Sequence, residues 1–229
     1  MAIIEIKNLK KIYDGSSVEV KAVDGIDLNI EKGEFTAIVG PSGSGKTTFL
    51  NLLGGLDKPT SGEVTVNGTN IWQLSAGKLI DFRLHNIGFV FQAYNLIPVL
   101  TAGENVEFIM ELQGRPKKER HQRASDLLNA VGIGDRFDSR PSKLSGGQQQ
   151  RVAVARALAS KPKFILADEP TANLDSKSTE TLLDIMEKLN HDEQITFIFS
   201  THDARVVKKA RRIITIEDGK ILKDETIEK

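Results

Sequence analysis

The chain has 229 residues, which is enough for one large domain with its own hydrophobic core. It contains no cysteine, so disulfides, thiolate metal sites and cysteine nucleophiles are excluded. Its 31 Lys and Arg balance 31 Asp and Glu, without the basic excess that is typical of nucleic-acid-binding proteins. We therefore expect no nucleic-acid partner.

No segment of the sequence predicts export or membrane insertion. The N-terminal residues lack the basic and apolar segments of a signal peptide, and no window reaches the ~20 apolar residues of a spanning helix. We expect a cytoplasmic protein whose membrane role, if it has one, depends on a partner. The four histidines are scattered and give no metal-ligand spacing.

The first third of the chain is predicted to be mainly β-structure. Residues 3–13 and 18–30 alternate apolar and polar side chains, with breaks predicted at residues 14–17 and at Asp24-Gly25. Residues 35–39 are a short apolar run that is typical of a strand buried on both faces. A loop rich in glycine and serine, a helix over 47–56 and a strand over 62–66 are predicted to follow, in that order.

The middle of the chain changes to a helical pattern. Residues 73–86 are weakly helical, residues 87–91 form an apolar strand, and residues 104–114 and 116–132 predict two further helices. We interpret residues 93–139 as a helical subdomain inserted into an α/β core of residues 1–92 and 140–229.

The α/β pattern resumes in the last third. Its predicted elements are a helix over 146–159, a buried strand over 164–168, a helix over 176–192, a buried strand over 195–201, a helix over 204–212 and a hairpin over 213–224. In the helix over 176–192 the residues expected to face inward are Leu182, Leu183, Ile185, Met186 and Leu189.

Residues 40–47, Gly-Pro-Ser-Gly-Ser-Gly-Lys-Thr, match the phosphate-binding P-loop pattern between a buried strand and a helix. Glycines let the backbone wrap closely around a phosphate and point N–H groups toward it. We expect Lys46 to reach the β- and γ-phosphates of a nucleotide and the Thr47 hydroxyl to coordinate Mg²⁺. The nucleotide-binding residues predicted in this segment are Gly40, Ser42, Gly43, Ser44, Gly45, Lys46, Thr47 and Thr48.

The apolar strand over 164–168 ends in two adjacent carboxylates, Asp168 and Glu169. The carboxyl ends of parallel strands line the ligand crevice of an α/β sheet, so both side chains are expected near the P-loop. Asp168 is then a second-sphere or water-mediated Mg²⁺ ligand. Glu169 is placed to orient or deprotonate an attacking water.

Residues 144–151, Leu-Ser-Gly-Gly-Gln-Gln-Gln-Arg, resemble the signature of ATP-binding cassette (ABC) ATPases. A serine hydroxyl and glycine N–H groups at a helix start suit a second phosphate site. The resemblance implies a head-to-tail dimer in which Ser145 and Gly147 contact the γ-phosphate held by the other subunit. Gly146 and Gln148 belong to the same predicted nucleotide-binding segment.

Other positions match this family in order along the chain. Tyr13 resembles the aromatic residue that stacks on adenine, and Gln92 resembles the glutamine that senses Mg²⁺ and the attacking water. Asp175, in the Asn-Leu-Asp run of residues 173–175, resembles the loop through which two subunits contact each other's site. His202 resembles the histidine that contacts the γ-phosphate. The implied catalytic residues are thus Glu169, His202 and Gln92.

The resemblance covers nearly the whole chain and implies an ABC ATPase fold with an N-terminal antiparallel β subdomain and an inserted helical subdomain. It also implies ATP and Mg²⁺ as cofactors, and ATP hydrolysis. The implied partners are a second copy or a paralogous cassette, together with a membrane permease on a separate chain that holds this subunit at the inner face of the membrane. Residues 88–106 and 144–159 resemble the branch that serves lipoprotein release, macrolide efflux, antimicrobial-peptide resistance and cell division. No C-terminal regulatory domain is expected.

Three other readings stay open from the residues. Soluble ABC ATPases that act on DNA or ribosomes carry long coiled-coil insertions or two cassettes, which this sequence lacks. A P-loop kinase would not need the signature segment. A tether in a cell-division or envelope complex, in which ATP turnover is secondary, remains compatible with the sequence.

Overall fold

The structure is a computed structural model that describes residues 2–14 and 19–227. The break predicted at residues 14–17 falls, apart from Asp14, outside the described residues. Two β-sheets and seven α-helices account for most of the described chain.

The first sheet is built from β1 (Ala2–Asp14), β2 (Glu19–Glu31), β4 (Ser61–Val66) and β5 (Thr69–Asn70). Its order is β2-β1-β4-β5, and all of its strand pairs are antiparallel. The antiparallel β subdomain predicted from the resemblance is therefore present.

The predicted break at Asp24-Gly25 is wrong, because β2 continues through this pair. Gly25 has φ +76, and the chain on either side stays paired with β1, Asp24 with Lys10 and Ile26 with Leu9. A register shift between Leu9 and Lys10 accommodates the irregularity. Glycine in the left-handed region thus forms a bulge within the strand here, where the sequence pattern suggested a turn.

The second sheet contains the remaining strands: β3 (Phe35–Val39), β6 (Ile87–Val90), β7 (Phe164–Asp168), β8 (Thr196–Ser200), β9 (Arg212–Glu217) and β10 (Lys220–Thr226). Its order is β10-β9-β3-β8-β7-β6, parallel except for the β9–β10 hairpin. The sheet is therefore mixed but mainly parallel, as predicted, and the carboxyl ends of β3, β6, β7 and β8 share one edge.

The α-helices are α1 (Lys46–Leu53), α2 (Ala76–Asn86), α3 (Ala102–Leu112), α4 (Lys117–Ala130), α5 (Gly146–Ala159), α6 (Ser176–Glu193) and α7 (Ala204–Lys209). The helix predicted to run to Arg212 is too long by three residues. The Arg211 N–H donates to the Phe35 carbonyl oxygen, which brings the chain into the second sheet before another helical turn forms.

Side chains of the second sheet alternate between two hydrophobic cores. Ile165, Phe197 and Phe199 lie in a core with α3, α4, α5 and α6, whereas Phe164 and Ile198 lie in a core with α1 and the first sheet. This explains the continuous apolar runs of these strands, because both of their faces are covered.

Helices α3 and α4 pack against α5, and α5 packs in turn on β6 and α6. The residues predicted to face inward on α6 are buried or partly buried in the same core. Among residues 2–14 and 19–227, no helix combines the length and the apolar character that crossing a bilayer requires.

Candidate nucleotide-binding site

The loop between β3 and α1 carries the predicted P-loop, and two of its glycines make close backbone contacts. A Cβ atom at Gly40 would lie 2.0 Å from the Ile216 carbonyl oxygen. Gly45 has φ +101, and a Cβ atom there would lie 2.0 Å from the Ala22 carbonyl oxygen. Because both neighbours are backbone atoms of strands, neither position accepts a side chain unless a strand moves. The loop is therefore wrapped tightly against β2 and β9.

The ammonium group of Lys46 is held by the loop itself. Lys46 is 9% exposed, and its Nζ donates to the carbonyl oxygens of Gly40 and Pro41 at 2.9 Å each. Within the described part of the chain, no carboxylate lies within ion-pair distance of this group. A largely buried cation without a counter-ion favours an anion in the adjoining space.

An open cleft of about 1490 Å³ runs along the P-loop. The predicted site residues that line it are Tyr13, Gly40, Ser42, Gly43, Gly45, Lys46, Thr47, Thr48, Gln92, Glu169 and His202. Ser44 is enclosed beneath the loop, where its buried Oγ has no hydrogen-bond partner among the described residues. Asp168 and Asp175 do not line the cleft, nor does the segment 145–148.

Thr47 and Asp168 meet where α1 begins and β7 ends. The Thr47 hydroxyl donates to Asp168 Oδ1 at 3.1 Å. A hydroxyl and a carboxylate are oxygen ligands of the kind that Mg²⁺ prefers. Among the described residues there is no cluster of three or more Asp, Glu or His that could hold a metal by itself. This pair fits a Mg²⁺ ion that takes most of its ligands from phosphates and water.

Glu169 follows β7 directly and contacts the loop that follows β8. Its Oε1 lies 2.7 Å from Nδ1 of His202, and its Oε2 accepts a 3.4 Å hydrogen bond from Thr201. The Glu169 side chain is 17% exposed, whereas that of His202 is 75% exposed. Glu169 also has φ +46, an uncommon conformation for a residue with a side chain. The sheet therefore brings together two of the three predicted catalytic side chains.

Asp203 fixes the loop next to His202. Hydrogen bonds from the Arg205 side chain and backbone, and from the Thr171 hydroxyl, outweigh burial and lower the pKa of Asp203 to about 2. Its backbone N–H donates to Thr201 Oγ1 at 3.0 Å. Because Thr171 lies just after Glu169 in the chain, Asp203 ties the segments after β7 and β8 to each other.

Gln92 lies in the loop after β6, with an exposed side chain that lines the cleft. Its carbonyl oxygen accepts a 3.0 Å hydrogen bond from Asn173 Nδ2. Arg156 on α5 donates to the carbonyl oxygens of Tyr94 and Asn95, and burial lowers its pKa. The loop after β6 is thus attached to both α5 and the segment after β7.

Ser145 is the N-cap of α5 and forms a capping box with Gln148. Its Oγ accepts from the Gln148 N–H, and the Gln148 side chain accepts from the Ser145 N–H. A Cβ atom at Gly147 would lie 2.7 Å from Oγ of Ser178, and that hydroxyl donates to Asp175 Oδ2. The starts of α5 and α6 are therefore adjacent, and both lie away from the P-loop cleft of the same subunit.

The C-terminal hairpin is a part of the site that sequence analysis did not assign. The Gly219 N–H donates to the Ser44 carbonyl oxygen at 3.1 Å, and the Gly219 carbonyl accepts from the Asp24 N–H at 2.8 Å. Residues 217–222 also line the cleft. The turn at Asp218-Gly219 predicted the hairpin, but a turn motif carries no information about which loop the hairpin packs against.

Comparisons with known proteins show the family to which the chain belongs. Residues 23–172 match the family described as ABC transporter. The lipoprotein-releasing system ATP-binding protein LolD of Syntrophus aciditrophicus is 47% identical over 221 residues, which cover 96% of this chain and 98% of LolD. The macrolide export ATP-binding/permease protein MacB of Hyphomonas neptunium is 48% identical over 222 residues, which cover 97% of this chain and 34% of MacB.

A solved structure shows the same fold throughout. It is the dimeric structure of a post-hydrolysis state of the ATP-binding cassette MJ0796 bound to ADP and Pi. It matches with a TM-score of 0.91 at 43% identity and covers 99% of both chains. Together with the family match over residues 23–172, this likeness shows that the chain is an ATP-binding, ATP-hydrolysing cassette of the ABC transporter family.

Proposed function

We propose that the cleft residues bind and hydrolyse ATP in the roles that the sequence predicted. The main support is the placement of three features at one sheet edge: the buried ammonium of Lys46, the Thr47–Asp168 pair and the Glu169–His202 pair. Lys46 exchanges its two carbonyl acceptors for the terminal phosphates. The exposed Ser42 and Gly43 supply backbone N–H groups to the same phosphates.

Glu169 acts as the general base. Its carboxylate orients the attacking water and accepts the proton that the water loses on attack at the γ-phosphorus. His202 holds this carboxylate through the 2.7 Å contact and, being more exposed, also contacts the γ-phosphate. Gln92 contributes its exposed side chain from the loop after β6, where it contacts the water or the metal ligands.

Thr47 and Asp168 would hold Mg²⁺, directly or through water, with Gln92 as a further ligand. When bound, the ion neutralises charge on the phosphates and orients them for displacement. The Thr47 hydroxyl, which donates here to Asp168 Oδ1, would be one of these ligands.

A second copy of this chain, or a paralogous cassette, completes the site. Ser145, Gly147 and Asp175 are grouped around the adjacent starts of α5 and α6, away from the P-loop cleft. Two glycine N–H groups and the helix N-terminus at Ser145 suit an anion, so they can cover the γ-phosphate of a partner subunit. The dimeric state of MJ0796 supports this arrangement.

A separate membrane permease is the partner that this ATPase drives. An apolar groove of about 450 Å³ lies between the α/β core and the helical segment 93–139. The helices of this segment pack on α5 and form one lobe with it. It is lined by Ile80, Phe89, Phe91, Phe108 and Ile109, with Arg83 and Arg156 at the same surface. The loop after Gln92 also lines this groove. A permease segment bound in the groove would therefore receive the movement of this loop when the nucleotide site closes. Through this permease the chain would act at the inner face of a membrane.

Export or lipoprotein release is the transport reaction we propose. The support is the likeness to LolD and MacB, whose names state lipoprotein release and macrolide export. The match covers 34% of MacB, an ATP-binding/permease protein, and we propose that the permease selects the transported substrate.

The substitution Glu169→Gln tests the hydrolysis proposal. We expect the ATPase rate to fall by about 10²- to 10⁴-fold, because the amide cannot accept the proton. The variant should accumulate as an ATP-bound dimer on gel filtration. If it stays monomeric with ATP and retains turnover, both the base role of Glu169 and the shared site are wrong.

A further inference from the structure

Tyr13 lies near the end of β1 at the cleft, and two side chains that do not line the cleft, those of Lys11 and Asp57, hold its ring. Tyr13 is 42% exposed and is the one tyrosine among the residues that line the cleft. We propose that Asp57 is a positioning residue that fixes the Tyr13 ring for stacking on the base of the nucleotide, with Lys11 holding both. This inference rests on the proposed function, in which Tyr13 contacts adenine.

The three side chains form a closed set of contacts. The Tyr13 hydroxyl donates to Asp57 Oδ2 at 2.6 Å, and Lys11 Nζ donates to Asp57 Oδ1 at 2.7 Å. Lys11 Nζ also donates to the Lys58 carbonyl oxygen at 2.8 Å. A carboxylate with one oxygen on each partner fixes the distance between them, so the phenol cannot rotate away without breaking a charge-assisted hydrogen bond.

The charges favour this arrangement. Burial opposes ionisation of Asp57, but hydrogen bonds from Lys11 and Tyr13 outweigh it and lower the pKa of the carboxyl. Burial and the hydrogen bond to ionised Asp57 raise the pKa of Tyr13, which keeps the phenol protonated as the donor. The set is therefore an ammonium, a carboxylate and a neutral phenol, each in the protonation state that its contact needs.

Lys11 covers one face of the Tyr13 ring. Its Nζ lies 4.8 Å from the centroid of the Tyr13 ring, and its side chain is only 14% exposed. A cation at this distance from a ring face is a favourable cation–π contact. Because Lys11 does not line the cleft, the ring face that it covers is turned away from the cleft and the other is available to a planar base.

Asp57 also connects Tyr13 to the phosphate end of the site. The N–H groups of Leu56 and Asp57 both donate to the carbonyl oxygen of Asn51, which lies in α1. This helix begins at Lys46 and Thr47, the proposed phosphate and metal ligands, and Asp57, which holds Tyr13, lies just after its end. The distance between the phosphate and base positions is thereby set by α1.

The test compares a ligand that has a base with one that has none. Calorimetric titration of the full chain with Mg-ADP and with inorganic pyrophosphate measures the two dissociation constants. We expect Asp57→Ala and Tyr13→Phe to raise the Kd for ADP about three- to tenfold, because an unfixed ring loses part of its stacking. The Kd for pyrophosphate should not change.

Two further variants sharpen the comparison. The double variant Tyr13→Phe with Asp57→Ala should bind ADP about as tightly as whichever single variant binds it more weakly. Both substitutions remove the same Tyr13–Asp57 hydrogen bond, so their effects should not add. Tyr13→Phe keeps the Lys11–Asp57 pair, so it tests the inference even where Asp57→Ala folds poorly. Asp126→Ala, at an exposed position on α4, is the matched control and should leave both constants unchanged.

Three results would overturn the inference in different ways. If Asp57→Ala weakens ADP and pyrophosphate equally, Asp57 supports α1 and not the ring. If Asp57→Ala and Tyr13→Phe leave ADP binding intact while Tyr13→Ala weakens it, the ring stacks without positioning and the proposed function stands. If Tyr13→Ala also leaves ADP binding intact, Tyr13 does not contact the base, and that part of the proposed function fails as well.

Discussion

Glu169 is held by its backbone as well as by its side chain. Its N–H donates to the Ser200 carbonyl oxygen at 2.8 Å, which extends the pairing of β7 with β8 by one residue. The φ of +46 then turns the side chain out of the strand alternation and toward His202. Strain of this kind persists where surrounding contacts determine the conformation, and it is common at functional sites.

His202 is the residue at which this arrangement is most simply tested. We predict that His202→Ala lowers kcat by about 10²- to 10³-fold with little change in KM, because the Glu169 carboxylate loses its 2.7 Å partner. His191→Ala is the matched control, since the His191 side chain is 84% exposed and its one hydrogen-bond partner among the described residues is Asp192. Steady-state phosphate release measures both. Equal effects of the two substitutions would contradict the role of His202.

At the scale of elements, α5 is positioned by its close approach to β6. A Cβ atom at Gly88 in β6 would lie 2.7 Å from the Ala157 carbonyl oxygen and 2.9 Å from Cγ1 of Ile165. The helix that begins at Ser145 can therefore pack this closely only because residue 88 has no side chain. The proposed phosphate site at the start of α5 thus depends on a glycine in β6.

We predict that Gly88→Ala lowers the free energy of unfolding by about 1–3 kcal/mol, because α5 or β6 must shift to admit a methyl group. Gly77→Ala provides the control within α2, where a Cβ atom meets nothing within 4 Å. That substitution should instead stabilise the protein by about 0.5–1 kcal/mol, because alanine is the better helix former. Urea unfolding measures both. A stabilising Gly88→Ala would show that the packing of α5 on β6 is loose.

At the scale of the whole molecule, each proposed active site uses the P-loop of one subunit and the segment 145–148 of another. A defect in either half should therefore be rescued by a subunit that is defective in the other half. A site contained within one subunit could not be rescued in this way.

We predict that Lys46→Ala and Ser145→Arg are each inactive alone but recover ATPase activity when they are mixed. Ser145 is exposed, so the arginine should not prevent folding. Equal mixing gives heterodimers in half of the dimers, each with one intact site, so about a quarter of wild-type activity should return. Phosphate release over a series of mixing ratios measures this. No recovery at any ratio would contradict the shared site.

The sequence predicted the parts of the site that lie close together in the chain. The unit of β3, loop and α1 is contiguous, and the carboxylates of residues 168 and 169 directly follow a buried strand. These are local patterns, which periodicity and turn chemistry describe well. The parallel sheet followed from the apolar runs at residues 35–39, 164–168 and 195–201.

The contacts that were not predicted join distant parts of the chain. Asp57 reaches Tyr13 across 44 residues, and Gly219 reaches Ser44 across a still longer separation. Such pairs depend on how the two sheets and α1 pack together, which no local pattern encodes. The error at Gly25 has the opposite origin, because a local turn signal was overridden by continuous pairing with β1.

The position of β9 next to β3 has a consequence for biosynthesis. β3 is complete at Val39, but its neighbours in the sheet are β8 and β9, and β9 begins at Arg212. At ordinary rates of translation, roughly 10 to 35 seconds separate the synthesis of these two strands. Gly219, which supports the P-loop through Ser44, is made later still. A nascent chain on the ribosome therefore cannot form this support of the P-loop until Gly219 has been synthesised.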